Sequence, residues 1–283
     1  MLLLHGLTGN AWEWDPIAAV LSRRSRVLAL NQRGHGASGW ASNYAAERMV
    51  EDLAEFTAVL GLGSLAIVGH SMGGLNGYLF ASRYPELVER LVIVDFGPSS
   101  MTPEAAHGWT GYLRAAEQTT YSDPLEVLAD WQSANPRARE SQLLHFIVHN
   151  LVQDDDGRWR WRFDSARLAS FFEQMPDEAA QWAALRRLDI PTLLIRGEHS
   201  EVLSTRTAAQ MAHELPGCRL LEIPDGAHDL TVERPDALTE AVDRFLSADQ
   251  GVVSGHARIG RTRARARRAK VTPTPTAGPG ARG

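Results

Sequence analysis

The 283-residue chain has one cysteine, no long apolar run and few basic residues outside its C-terminal end. The single cysteine, Cys218, excludes an internal disulfide framework. No run approaches the roughly 18 apolar residues of a membrane-spanning helix. The opening residues, MLLLHG, are too short and too uncharged for a signal peptide. We therefore expect a cytoplasmic protein that does not bind a membrane.

Positive charge is scarce in residues 1–250, which carry 21 basic and 34 acidic side chains, a formal net charge of −13. A surface that contacts phosphates must be basic, so this part of the chain is not expected to bind nucleic acid. The other eight basic residues lie in residues 251–283. That segment is rich in Arg, Ala, Gly and Pro and has no apolar periodicity, which predicts a disordered basic tail.

Short apolar runs alternate with segments of helical length along most of the chain. The runs read LLLHG, RVLALN, SLAIVG, LVIVD, TLLIRG and RLLEIP. They are almost continuously apolar, as strands buried on both faces of a parallel sheet are. The alternation predicts an α/β fold with a doubly wound, mostly parallel sheet.

The alternation fails between residues 98 and 188, where tryptophans, charges and helical patterns occur without a clear strand. We interpret this segment as a helical cap inserted between two parts of one core, residues 1–97 and residues 189–250. Such an insertion can form the roof of a binding crevice at the strand ends, or can serve only as extra packing.

The stretch GHSMG, residues 69–73, follows an apolar run and precedes a helical pattern. A glycine-x-serine-x-glycine turn in this position is typical of a nucleophile elbow, with Ser71 exposed at the turn. The alternative is a purely structural turn. The stretch lacks the spacing of a dinucleotide-binding or P-loop motif.

A nucleophilic serine needs a histidine as its base and a carboxylate that orients the histidine. Among the ten histidines, His228 lies in PDGAHDL, the loop directly after the final apolar run. Glu198 and Glu201 lie in the loop GEHSEVLS, and Asp95 ends an earlier apolar run. All three carboxylates are candidates for the acid.

The chain begins with an apolar run that leads into HGLTGN. A loop in this position can supply one backbone N–H to a developing oxyanion, and the residue after the nucleophile can supply the other. Leu7 and Met72 are the expected donors.

Together these stretches resemble the α/β-hydrolase fold superfamily over roughly residues 1–247, and in particular its capped, esterase-like members. HGLTG is similar to the oxyanion-hole loop, GHSMGG to the elbow and GAHDL to the histidine loop. Members often have glycine-x-x-serine-aspartate in the acid loop, and the aspartate position falls on Glu201. The resemblance thus implies a triad of Ser71, Glu201 and His228, with Glu198 and Asp95 as alternatives.

The resemblance implies a serine hydrolase of small or medium esters, lactones or related acyl compounds, with no metal or organic cofactor. The small acyl substrate is the only partner expected. Carbon–carbon bond hydrolases and cofactor-free haloperoxidases or perhydrolases share the serine, and a noncatalytic ligand-binding protein on the same fold is a further alternative. Members usually have two strands before the first one present here, so the sequence is expected to lack its N-terminal strands.

Overall fold

The computed structural model describes residues 1–248, in which helices surround a six-stranded parallel sheet. The strands are β1 (Leu2–Leu4), β2 (Leu28–Leu30), β3 (Leu65–His70), β4 (Val88–Val94), β5 (Leu151–Gln153), β6 (Trp159–Trp161), β7 (Thr192–Gly197) and β8 (Cys218–Ile223). The sheet order is β2-β1-β3-β4-β7-β8, and every neighbouring pair is parallel. The prediction of a mostly parallel α/β sheet is therefore confirmed. The predicted disorder of residues 251–283 lies outside the described residues.

Helices connect the strands and cover both faces of the sheet. They are α1 (Asp15–Leu21), α2 (Ala46–Val59), α3 (Met72–Arg83), α4 (Pro103–Gln118), α5 (Leu128–Ala134), α6 (Glu140–Asn150), α7 (Ser165–Leu168), α8 (Ser170–Glu173), α9 (Glu178–Leu185), α10 (Thr205–Glu214), α11 (Leu230–Glu233) and α12 (Pro235–Ser247). Short 3-10 turns cover Ala11–Trp14, Pro85–Leu87 and Pro124–Val127. Within residues 1–248, no helix combines the length and the apolar character needed to cross a bilayer.

The core consists of two apolar layers, one on each face of the sheet. Successive residues of a strand point to opposite faces, so Leu4 and Ile67 belong to the layer beside α2 and α3. Leu3 and Val68 belong to the layer beside α1 and α12. All six residues of β3 are buried, because helices cover the sheet on both sides.

The segment between β4 and β7 contains α4 to α9 and one short antiparallel strand pair. β5 and β6 are joined by a turn in which Gly157 adopts a φ of 78°, a conformation that glycine tolerates without strain. The expectation of a mostly helical segment did not include this pair. Three-residue strands are too short to give a clear apolar pattern in sequence.

Gly73 lies where α3 starts, against the end of β1. A Cβ placed on Gly73 would lie 2.2 Å from the carbonyl oxygen of Leu4, so only glycine permits this approach of helix to strand. We predict that Gly73→Ala lowers the free energy of unfolding by about 2 kcal/mol or more, because a backbone atom must move. Urea unfolding measures the change.

Gly111 in α4 provides the matched control, because apart from its chain neighbours and the backbone of its own helix no atom lies within 4 Å of the Cβ that alanine would add there. Gly111→Ala should stabilise the protein by about 0.5 to 1 kcal/mol through its lower backbone entropy in the unfolded chain. Equal effects of the two substitutions would contradict this account of the elbow.

Candidate active site

Ser71 lies at the sharp turn between β3 and α3. Its φ of 52° and ψ of −117° are rare for a residue with a side chain and mark a strained turn. The Ser71 N–H donates to the carbonyl of Val94 at 2.9 Å, and the Ser71 carbonyl accepts from the N–H of Leu75 at 3.0 Å. A Cβ on Gly69 would lie 2.2 Å from the carbonyl oxygen of Gly73. The two flanking glycines therefore allow the strained turn that presents the serine.

His228, in the loop between β8 and α11, contacts both Ser71 and a carboxylate. Its Nδ1 lies 2.8 Å from Oδ2 of Asp95, and its Nε2 lies 3.0 Å from Oγ of Ser71. A carboxylate only accepts, so Nδ1 carries the proton and Nε2 accepts from the serine hydroxyl. This is the geometry in which a histidine removes the proton of a nucleophilic serine.

Asp95 follows β4 directly, and its side chain is completely buried. Besides His228, it accepts a hydrogen bond from the Gly197 N–H at 2.9 Å and one from the Ser200 hydroxyl at 2.5 Å. Its φ of 53° is another strained backbone conformation at a strand end. Three donors thus hold the carboxylate in one orientation.

The structure corrects the acid expected beside His228: Asp95 occupies that place, and Glu201 does not. Glu201 is exposed in the loop after β7. In that loop Ser200 turns inward to Asp95, while the buried guanidinium of Arg196 binds the carbonyls of Glu198, Ser200 and Leu203. The loop therefore supplies a hydroxyl to the site and no carboxylate.

Of the other two carboxylate candidates, Glu198 lies away from Ser71 and Asp95 lies close to it. Glu198 accepts from the N–H of Asp225 at 2.8 Å and is about half exposed, so it links two loops away from Ser71. In the sequence, Asp95 is marked as a candidate because it is the polar residue that ends the apolar run LVIVD. Strand order makes β4 the neighbour of β3, and this order places Asp95 near Ser71.

Leu7 and Met72, the expected oxyanion donors, line the same cavity as Ser71. Met72 is the first residue of α3, where N–H groups have no partner inside the helix. The loop that carries Leu7 is held at Thr8, whose N–H donates to Nε2 of His35 at 3.2 Å. Burial lowers the pKa of His35 to about 4, so its ring is neutral and Nε2 is free to accept.

Glu13 is a residue of the site that no sequence pattern marks. It lies in the 3-10 turn after the loop, and its buried carboxylate accepts from the Gly6 N–H at 3.3 Å. Its Oε1 lies 3.4 Å from Nδ1 of His70, a distance that describes an ion pair better than a hydrogen bond. On its other side His70 donates from Nε2 to the carbonyl of His228 at 3.0 Å.

A cavity of about 550 Å³ opens above Ser71. The strand ends form its floor, and the segment between β4 and β7 forms much of its wall. The wall is largely aromatic and aliphatic, and from that segment it includes Met101, Ala105, Trp109, Tyr112, Trp131, Phe146, Phe171 and Phe172. The segment therefore borders the cavity at Ser71 in addition to packing on the core.

Within residues 1–248, one group of side chains comes close enough to share a metal ion. The ligand atoms of His70, His228 and Asp229 lie within 4.8 Å of one another. The ring nitrogens of His70 face Glu13 and the His228 carbonyl. To bind a metal, His70 would have to lose a proton that its ring directs at one of these two acceptors, so we assign no metal site.

Comparison with known proteins gives a consistent family. A family model described as alpha/beta hydrolase fold matches residues 1–235. An sn-1-specific diacylglycerol lipase of Mus musculus is 29% identical over 87% of this chain and 80% of its own length. An esterase of Mycobacterium tuberculosis, Rv0045c, is 28% identical over 87% of this chain and 82% of its own.

Solved structures agree with this result. The crystal structure of E-2-(acetamidomethylene)succinate hydrolase superposes with a TM-score of 0.80 at 27% identity. The match covers 87% of this chain and 91% of that chain.

Proposed function

The chain belongs to the α/β-hydrolase fold family and is a hydrolase, and we propose that it cleaves small or medium esters, lactones or related acyl compounds through an acyl-enzyme intermediate. The observation that carries the proposal is the hydrogen-bonded series from Ser71 through His228 to Asp95. Relatives named as esterases and lipases support ester hydrolysis.

His228 is the proposed base and then the acid. It takes the proton of the Ser71 hydroxyl as Oγ bonds to the substrate carbonyl carbon, and it returns the proton to the leaving group. Water, deprotonated by the same nitrogen, then hydrolyses the acyl-enzyme. Asp95 keeps the proton on Nδ1 and stabilises the imidazolium that forms.

The oxyanion of each tetrahedral intermediate is proposed to bind the N–H groups of Leu7 and Met72. Both residues border the cavity at Ser71, and one of the two N–H groups lies at the start of a helix, where the helix dipole favours negative charge.

The cavity supports an uncharged acyl group as substrate. Among the described residues, no arginine or lysine lines it, whereas Glu13, Asp130 and Asp229 do. The charge on His70, which also lines the cavity, is paired with Glu13, so an anionic acyl group would find no unpaired cation among these residues and would meet the like charges of Asp130 and Asp229. We therefore propose neutral acyl substrates, in contrast to the succinate derivative in the name of one relative.

No nucleic acid, membrane or cofactor enters the proposal, and the cytoplasmic location stays a prediction. The alternative of a noncatalytic ligand-binding protein is tested by the same experiment as the function.

Replacement of the serine tests the function directly. We predict that the wild-type protein hydrolyses 4-nitrophenyl esters and is labelled by a fluorophosphonate, and that Ser71→Ala abolishes labelling and lowers kcat at least about 1000-fold. Ser38→Ala, at a hydroxyl bound to Asn31 away from the cavity, is the control. A wild-type protein that neither labels nor turns over, or an active Ser71→Ala variant, would leave the noncatalytic alternative.

The acid is tested by two matched amide substitutions. Asp95→Asn should lower kcat about 1000-fold or more, because the amide favours the wrong histidine tautomer. Glu201→Gln should change kcat less than about twofold, since this side chain is exposed. Steady-state kinetics with thermal unfolding of both variants gives the comparison, and the reverse ranking would restore Glu201 as the acid.

Substrate charge is tested with two 4-nitrophenyl esters of similar length, the pentanoate and the hemisuccinate. We expect kcat/KM at least about tenfold higher for the neutral pentanoate, since the described cavity wall offers the second carboxylate no lysine or arginine, and His70 there is already paired with Glu13. Asp130→Asn should reduce the ratio of kcat/KM between the pentanoate and the hemisuccinate, because it removes one negative charge from the cavity wall. Equal rates, or a preference for the anion, would contradict this assignment.

A further inference from the structure

We propose that Glu13 and His70 form a positioning ion pair, which holds residues 6–9 and the backbone of His228 in the arrangement that acyl transfer requires. The inference rests on the proposed function of the Ser71 site. It concerns two residues outside the series of Ser71, His228 and Asp95.

Glu13 contacts the loop of residues 6–9 through both oxygens of its carboxylate. Its Oε1 accepts the N–H of Gly6, and a Cβ on Gly9 would lie 2.2 Å from its Oε2. The Gly9 N–H donates to the Gly6 carbonyl at 3.1 Å, which closes the turn around Leu7. The carboxylate therefore contacts the loop at both ends of the turn that carries the proposed oxyanion donor.

His70 connects this carboxylate to the other two parts of the site. It immediately precedes Ser71, and its Nε2 donates to the carbonyl of His228. A Cβ on Gly6 would lie 3.0 Å from Nδ1 of His70 and 3.4 Å from Cβ of Ser71. One imidazole ring thus touches the loop, the elbow and the histidine loop.

The charges that face His70 come from three segments: Glu13 after the loop, His228 and Asp229 after β8, and His5 after β1. Burial alone lowers the pKa of His70, but the Glu13 carboxylate outweighs burial and the pKa is raised to about 9. Burial likewise lowers the pKa of His5, so His5 stays neutral. At neutral pH the His70 ring keeps both N–H donors.

Stability alone does not account for such a pair. Transfer of two charges from water to the protein interior costs free energy, and their mutual attraction often only balances that cost. A buried ion pair is therefore weak evidence that the pair stabilises the fold. The His70 and Glu13 side chains border the cavity but are only 5% and 3% exposed. A displaced oxyanion donor lowers the rate of the chemical step, which is sensitive to shifts of about 1 Å.

Two glutamine variants separate the two contacts. Glu13→Gln keeps an acceptor for Gly6 but removes the charge, and His70→Gln keeps an N–H for the His228 carbonyl but loses the ion pair. We expect each to lower kcat at least about tenfold with KM changed less than about twofold. Glu86→Gln and His213→Gln, at exposed side chains, are the controls.

The pH profile gives a readout that a merely structural role would not change. Because the protonated ring is the active form, wild-type kcat should fall as pH rises through about 9. Glu13→Gln should move this alkaline limb to lower pH, and His70→Gln should remove it. Circular dichroism over the same range separates the limb from unfolding.

A kcat within twofold of wild type in both variants, or a rise in KM alone, would overturn the proposal. The proposed function is judged separately, by the loss of activity in Ser71→Ala. If the wild-type protein is inactive or the variants do not fold, ¹⁵N NMR of wild-type His70 still decides: a neutral ring at pH 7.5 would overturn the ion pair.

Discussion

The buried carboxylate of Asp95 joins three strand ends of the sheet. A buried carboxylate needs hydrogen-bond donors, and Asp95 has them in Gly197 at the end of β7, Ser200 in the loop after β7 and His228 after β8. This requirement fixes the imidazole plane, and with it the distance from Nε2 to Ser71. The parallel sheet makes the arrangement possible, because it brings the carboxyl ends of all these strands to one edge.

Histidines around this edge differ in protonation because their surroundings differ. His5 and His35 are buried without a carboxylate in contact, so their pKa values are lowered and neutral rings receive backbone N–H groups. His70 is equally buried, yet Glu13 raises its pKa. One residue type therefore provides two acceptors and one cation at this edge of the sheet, and each protonation state follows from burial weighed against a carboxylate partner, which only His70 has in contact.

The proposed chemistry and the proposed substrate contacts reside in different parts of the chain. The loops at the sheet edge supply the proposed nucleophile, base, acid and oxyanion donors. The segment between β4 and β7 supplies most of the apolar wall above them. Relatives of the same fold carry names that differ in substrate, as is expected because a fold does not by itself determine function.

The sequence alone determined the features that depend on local backbone geometry. Buried strands read as apolar runs, and the elbow reads as GHSMG because only glycine fits on both sides of a strained serine. His228, the proposed base, could be predicted from its position after the last strand. The carboxylate that contacts it could not, since the choice among Asp95, Glu198 and Glu201 depends on strand order and on which side chain turns inward. The Glu13–His70 pair depends on the same kind of distance: two residues far apart in the chain meet only when β1 and β3 become neighbours in the sheet. Local patterns report the conformation of a segment, whereas these contacts were decided by how segments pack.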